Sequence, residues 1–418
     1  MRVNFIGNTC NNHYVLARYL RELGVDAHLY YNGKAALQCW PQSEDPELEQ
    51  EPAPWVHTYR HPEKPFLPLN VVAPALLREL ADCDLLHVHG EGLLLAVKTG
   101  RPFIWHPFGS DFFHLPFYDS WLFINKFGRK ILDLRNLLAP LFFRKAMAQA
   151  AAIVLGVYNR LWIPGYRLLH RLHLEDRIVH LHLGINTRRF SPPKAGARSR
   201  LRAQMLPEAR ENDLVIFHPT RQAFTSSYTD SKKGNDRLYR ALARLQAQGQ
   251  AFYLVLVAQG YPDEAPARDL ISSLGIGDSV KWIHHLPRHQ LVDWYALADL
   301  TADHFVAGAL GSIPLESMAC GTPVLTFMQT ESNSDYFYPP TALFPELPPV
   351  INASSEEEIF RALDHYARNR EELGELGLQG RTWVEQNAAG EVVARRYLGL
   401  YESILARRPH HVNKATLV

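Results

Sequence analysis

Cysteine is scarce in this chain. The four residues in 418, Cys10, Cys39, Cys83 and Cys320, are scattered and form no C-x-x-C pair. That spacing excludes a disulfide framework and predicts reduced, mostly structural thiols. No apolar run reaches the roughly 18 residues that a membrane-spanning helix needs. Met1-Arg-Val-Asn-Phe-Ile-Gly7 leads into a strand rather than a signal peptide, so the expected location is the cytoplasm. An excess of one charge is also missing. A formal net charge of +1 supplies no global field for nucleic acid, which is therefore not an expected partner, and any basic site must be local. The first loop, Gly7-Asn8-Thr9-Cys10-Asn11-Asn12, lacks the Gly-x-Gly-x-x-Gly of a dinucleotide site. No H-E-x-x-H occurs either. The 20 histidines include the pairs His57 and His61, His87 and His89, His180 and His182, and His284 and His285. None of these has a carboxylate set nearby in sequence, so no metal site is expected. Asp82-Cys83-Asp84 spells D-x-D, but its place just before a buried strand reads as a strand-entry turn.

What is present is a two-domain alternation. The length exceeds the size at which single cores stop growing, and 47% hydrophobic with 21% charged residues is a globular composition. Strand-like runs at residues 2–7, 25–31, 84–89, 102–106, 151–156 and 178–182 alternate with helical patterns. This predicts a parallel sheet covered on both faces. A Pro, Lys, Ala, Gly and Arg stretch at residues 191–202 reads as a linker. The alternation then resumes at 214–218, 252–257, 280–284 and 322–326, with helices near 235–248 and 267–274. The expected fold class is α/β, with two Rossmann-like doubly wound domains, 1–190 and 203–390, facing across a cleft. Residues 391–418 are expected to form a helix returning to the first domain.

The stretch Gly308-Ala-Leu-Gly-Ser-Ile-Pro-Leu-Glu-Ser-Met-Ala-Cys-Gly-Thr-Pro-Val-Leu325 reads as loop, helix, turn and buried strand around one carboxylate, Glu316. Gly311, Ser312 and Ile313 open the helix, Pro314 suits its first turn and Gly321 its C-terminal cap. Free N–H groups at such a start attract phosphate, and Glu316, an acceptor only, can take the two hydroxyls of a ribose. An ordinary αβ junction with one exposed Glu is the alternative. Upstream, Arg221 follows the strand ending at His218, and Lys232-Lys233-Gly234 opens the next helix. Fixed cations at such places favour negative charge that grows on a bound group.

The Glu316 segment resembles the donor-site signature of retaining glycosyltransferases, particularly family 4 and its relatives with the GT-B fold. Leu183-Gly-Ile-Asn-Thr-Arg-Arg-Phe-Ser-Pro192 is similar to the clasp with which that family closes its N-terminal domain. The resemblance implies a hexosyltransferase-like enzyme moving a sugar, with its configuration kept, from a UDP- or GDP-type donor to a hydroxyl of a glycan, lipid-linked or small-molecule acceptor. It implies no cofactor and no metal, because Arg221 and Lys233 hold the diphosphate. Catalysis falls to His106, Arg221, Lys233 and Glu316, donor binding to Arg221, Lys233, Gly311, Ser312, Ile313 and Glu316, and acceptor binding to Asn8, Asn12 and Asp111. His106 enters through Trp105-His-Pro-Phe-Gly-Ser-Asp111, which resembles the family's His-Gly-Ser-Asp segment with two residues interposed. There are departures as well. Ser226 to Ser231 looks like an inserted loop between Arg221 and Lys233, and Gly308 stands where the family has a second Glu, so that its contact is either missing or supplied by Asp303 or His304. A GT-B sugar-nucleotide epimerase or hydrolase, and a non-catalytic partner subunit, are the alternatives.

Residues 112–150 are rich in aromatic and basic residues. Ile124, Phe127, Ile131, Leu134 and Leu138 fall on one helical face, and Lys126, Arg129, Lys130 and Asp133 fall opposite. Two readings stand: a helix at the inner membrane surface, or a helix packed on the N-terminal sheet.

Overall fold

The computed structural model describes residues 1–59, 72–90, 92–113, 115–117, 122–124, 130–132, 139–156, 162–225, 232–330, 343–344 and 346–407. The first half carries β1 (Arg2–Ile6), β2 (Asp26–Asn32), β3 (Val56–Tyr59), β4 (Leu85–Val88), β5 (Phe103–Trp105), β6 (Leu122–Ile124), β7 (Lys130–Leu132), β8 (Ala152–Val154) and β9 (Ile178–Val179). Seven of these form a parallel sheet in the order β3-β2-β1-β4-β5-β8-β9. The second half carries β10 (Leu214–His218), β11 (Phe252–Ala258), β12 (Val280–His284), β13 (Leu300–Ala302), β14 (Val324–Thr326) and β15 (Ile351–Asn352), ordered β12-β11-β10-β13-β14-β15 and again parallel. Both orders reverse beside the first strand of their sheet, which places a ligand crevice at the carboxyl ends of β1 and β4 and of β10 and β13.

Central strands are mostly apolar because both faces are covered. All five residues of β10 are buried, and each sheet separates two hydrophobic clusters. The first helix, Asn12–Glu22, ends where Gly24 takes a left-handed φ of 83° and Val25 N–H bonds back to the Leu20 carbonyl. At the other end of the chain, Gly390–Ala406 packs Val393, Ala394, Tyr397 and Tyr401 into the N-terminal core. This helix is separate from Arg370–Asn387, the chain breaking at Ala388 and Ala389.

Two local expectations differ from the structure. Residues 191–202 are not wholly a linker, since the helix Ala197–Met205 begins within them. Arg198 and Arg202 hold it by donating to the carbonyls of Ala296 and Leu297. The expected helix through Ile124 and Ile131 is replaced by β6 and β7, which pair antiparallel with Leu122 opposite Leu132. Residues 125–129 and 133–138 of that segment, and the expected loop 226–231, lie outside the described residues. Among the described residues, no helix is long and apolar enough to cross a membrane.

Candidate active site

Two cavities open at the carboxyl ends of the two sheets. One, of about 460 Å³, lies between the domains and is walled by Arg221, Lys233, Asp303, His304, Arg288 and Glu316, with Gly311, Ser312 and Ile313 at its edge. Every residue expected to bind the donor therefore reaches a single space.

The local chemistry explains how each gets there. Asn235, at the start of the helix Asn235–Ala247, is buried; its amide donates to His218 Nε2 (2.8 Å) and the Arg221 carbonyl (3.3 Å), and its oxygen accepts from Ala223 N–H. This fastens the loop after β10 to the helix that Lys233 precedes. The Lys233 backbone is held at both ends, its N–H by the Ala223 carbonyl and its carbonyl by Phe305 N–H. Arg221 lies over the Tyr261 ring at 5.5 Å. Burial pulls the Lys233 ammonium below the usual lysine range against the attraction of Asp303. Burial works to raise Asp303, but the charges of His304 and Lys233 and a 2.6 Å bond from the Thr220 hydroxyl outweigh it and hold the carboxyl low.

Glu316 sits on the helix Ser312–Ala319, which ends at Gly321 with a left-handed φ of 71° and with Thr322 N–H bonded to the Ser317 carbonyl. Its two oxygens accept from Arg288 Nε (2.6 Å) and the Tyr295 hydroxyl (2.7 Å). Burial pushes the Glu316 carboxyl up, against the pull of Arg288 and Tyr295. A carboxylate has about four lone-pair sites, so two remain for a diol. Arg288 also reaches across the cleft. Its Nη1 lies 3.2 Å from the fully buried Glu44, and its N–H donates to Ser43 Oγ (3.1 Å).

Gly308 has a φ of +73°, and a Cβ there would stand 2.9 Å from Gln329 Cβ and 3.0 Å from the Phe327 ring. No Glu fits in that backbone, whereas Asp303 and His304 both wall the cavity.

The second cavity, about 500 Å³, is walled by Asn8, Thr9, Lys34, His89, Phe108 and Asp111 among others. Thr9 lines this cavity and Cys10 the other, so the first loop is the partition between them. Asn8 and Asp111 reach the wall as expected, but their polar atoms serve the surrounding backbone and, for Asn8, the Asn11 side chain as well. Asn8 bonds Asn11, the Cys39 carbonyl and Tyr14 N–H, and Asp111 accepts from the N–H groups of Gly90, Phe108 and Gly109. Asn12 starts the first helix and lines neither cavity. His106 lines neither as well and is fully buried. Its ring turns inward under the first helix, stacks on His87 and is covered by Phe108 at 4.4 Å, so the imidazole on the cavity wall is His89. Asp82 and Asp84 bond Arg2 at the strand entry, away from both cavities.

Residues 209–340 match the family model of the glycosyl transferases group 1. The D-inositol 3-phosphate glycosyltransferase of Streptosporangium roseum is 33% identical over 35% of this chain and 33% of its own. The GDP-mannose-dependent alpha-(1-6)-phosphatidylinositol monomannoside mannosyltransferase of Mycolicibacterium smegmatis is 27% identical over 50% of this chain and 52% of its own. The chain thus spans between a third and about half of the length of these relatives. HepE of Anabaena, solved with UDP and glucose, superimposes with a TM-score of 0.65 at 16% identity, covering 96% of this chain and all of that one. The fold is GT-B.

Arg288, Tyr295, Glu44, Thr220 and Tyr261 were not legible as site residues. Arg288 lies 28 positions before Glu316, in a loop whose spacing matches no motif, and only the turn after β12 brings them together.

Proposed function

We propose that the protein is a retaining glycosyltransferase that binds a nucleoside diphosphate sugar between its domains and passes the sugar to a hydroxyl acceptor entering from the N-terminal cavity. The observation that carries this reading is the convergence of Arg221, Lys233 and Glu316 on one cavity at the carboxyl ends of β10 and β13. The two cations face the leaving diphosphate, whose growing charge they stabilise more in the transition state than in the ground state. Glu316, oriented by Arg288 and Tyr295, takes the ribose. Asp303 and His304 stand where the donor sugar would lie and replace the Glu that Gly308 excludes. The diphosphate is held without a divalent ion. Attack comes from the face that the sugar leaves, so no protein nucleophile is needed. His89 is the imidazole facing the acceptor side.

A GDP-mannose-dependent relative and the complex of HepE with UDP-glucose support a donor of that class. The base, the sugar and the acceptor follow from a thermal-shift panel of nucleoside diphosphates without added magnesium. UDP or GDP raises the melting temperature by mass action. A stabilisation that appears only with magnesium contradicts the cation-based site. Donor incubated without acceptor is consumed slowly, whereas an epimerase or hydrolase consumes it at full rate.

A further inference from the structure

Beneath the partition loop, three imidazoles from three elements meet in the N-terminal core. His13 comes from the first helix, His87 from β4, and His106 from the residue after β5. All three are fully buried, and each offers a ring nitrogen within 4.8 Å of those of the other two. Their hydrogen bonds fix much of the protonation. His13 Nδ1 lies 2.9 Å from the Gly7 carbonyl, which only accepts, so Nδ1 carries the proton and Nε2 presents a bare lone pair. That Nε2 is buried without a partner. His87 Nδ1 lies 2.6 Å from the Tyr401 hydroxyl, and His87 Nε2 lies 3.1 Å from His106 Nδ1. His106 Nε2 is also buried and unpartnered.

An unsatisfied buried ring nitrogen such as His13 Nε2 is costly in an apolar core unless something pairs it. We infer that His13, His87 and His106 form a three-imidazole site for a divalent ion of the zinc class, bound through His13 Nε2, His87 Nε2 and His106 Nδ1. Tetrahedral zinc with nitrogens at about 2.0–2.1 Å sets ligand nitrogens about 3.3 Å apart, close to the spacing that His87 and His106 already have. Two of the three remaining nitrogens have outer partners. His13 Nδ1–H is held by the Gly7 carbonyl and His87 Nδ1–H by the Tyr401 oxygen, an arrangement that fixes ring orientation in histidine metal sites. Binding needs no net proton release. The proton shared by His87 Nε2 and His106 Nδ1 leaves that contact, and each ring keeps one N–H on the nitrogen facing away from the ion. His89 and Phe108, 5.1 and 5.5 Å from the His13 ring, separate the cluster from the N-terminal cavity and mark the entry path. The ion would tie the first helix, β4, β5 and, through Tyr401, the C-terminal helix into one body. It is distinct from the diphosphate site, which lies across the partition. Spacing along the sequence could not reveal it, because no two ligands share a local motif.

The test uses the full-length protein. Elemental analysis is expected to find about one zinc per chain, lost on dialysis against a strong chelator and regained with zinc. Cobalt added to the stripped protein is expected to give the visible absorption of a low-coordinate, nitrogen-ligated ion, and zinc to raise its melting temperature. His13→Asn retains a donor for the Gly7 carbonyl and is expected to lose both the cobalt spectrum and the zinc-dependent stabilisation. Should that variant not fold, X-ray absorption of zinc-loaded wild type decides, with three imidazoles in the first coordination sphere expected. No stoichiometric ion and no cobalt absorption would overturn the site, as would undiminished binding in folded His13→Asn or fewer than three imidazoles around the metal.

Discussion

Arg288 Nε lies 2.6 Å from Glu316 Oε1 while its Nη1 lies 3.2 Å from Glu44 Oε2, so one guanidinium joins the proposed ribose-binding carboxylate to the N-terminal domain. Burial opposes the charge on Arg288, but the two carboxylates outweigh it and hold the group firmly protonated. The contact makes the geometry of the donor site depend on how the two domains meet.

Replacing Arg288 with Ala strands two buried carboxylates. Removing one partner of such a pair costs about 3–5 kcal/mol. A clear fall in melting temperature is expected, together with a raised KM for donor. Glu44→Ala in the same chain recovers part of the stability, because one stranded charge is gone, but does not recover the KM. Equal melting temperatures for wild type and Arg288→Ala would show that the pair contributes nothing.

The pH dependence of donor binding follows from Lys233. Burial holds its pKa below the free value, so it loses its proton at a lower pH than an exposed lysine. A charged ammonium favours the diphosphate, so affinity is complete on the acid side and falls as pH rises through the Lys233 pKa. In Lys233→Arg the alkaline limb moves upward, since guanidinium stays charged. Titrations with nucleoside diphosphate across alkaline pH check this; an unmoved limb assigns it to another group.

Gly308→Glu restores the family's residue type but not its geometry. The left-handed backbone and the 2.9 Å approach to Gln329 predict a loss of about 1–3 kcal/mol and no gain in turnover. A stable variant with faster transfer would show that the loop accommodates the side chain.

Much of the architecture was readable because buried parallel strands announce themselves as apolar runs. Leu214 to His218, buried throughout, matches β10 residue for residue, and Val280 to His284 matches the edge strand β12 although only Ile283 is buried there. Short strands escaped: Leu300–Ala302 and Ile351–Asn352 hold three and two residues, too few to show a period. The helix Glu356–Arg368 escaped although Ser355 and Glu358 form a capping box, each side chain satisfying the other's backbone N–H. Arg221, Lys233 and Glu316 were singled out by the resemblance of their segments, and the structure brings the three to one cavity wall. His106 was misplaced because resemblance of a segment does not fix which face of the chain turns inward. Arg288 was invisible because its partners are 28 and 244 positions away.

The membrane reading now rests on the helix Ala139–Met147, where Leu141 and Phe142 are exposed, 49% and 37%, near Lys145. Co-sedimentation with anionic vesicles at low salt is expected, weakening with salt and lost in Leu141→Ser/Phe142→Ser. Absence of binding at low salt would remove the membrane from the account.

The central claim is that Arg221, Lys233 and Glu316 hold a nucleoside diphosphate between the domains. Calorimetric titration of UDP and GDP into wild type and Lys233→Ala, without divalent metal, tests it most directly. Tight binding of one nucleotide to the wild type and its loss in Lys233→Ala is the predicted result. Wild type that binds neither nucleotide, or a folded Lys233→Ala that binds as well as wild type, would contradict it.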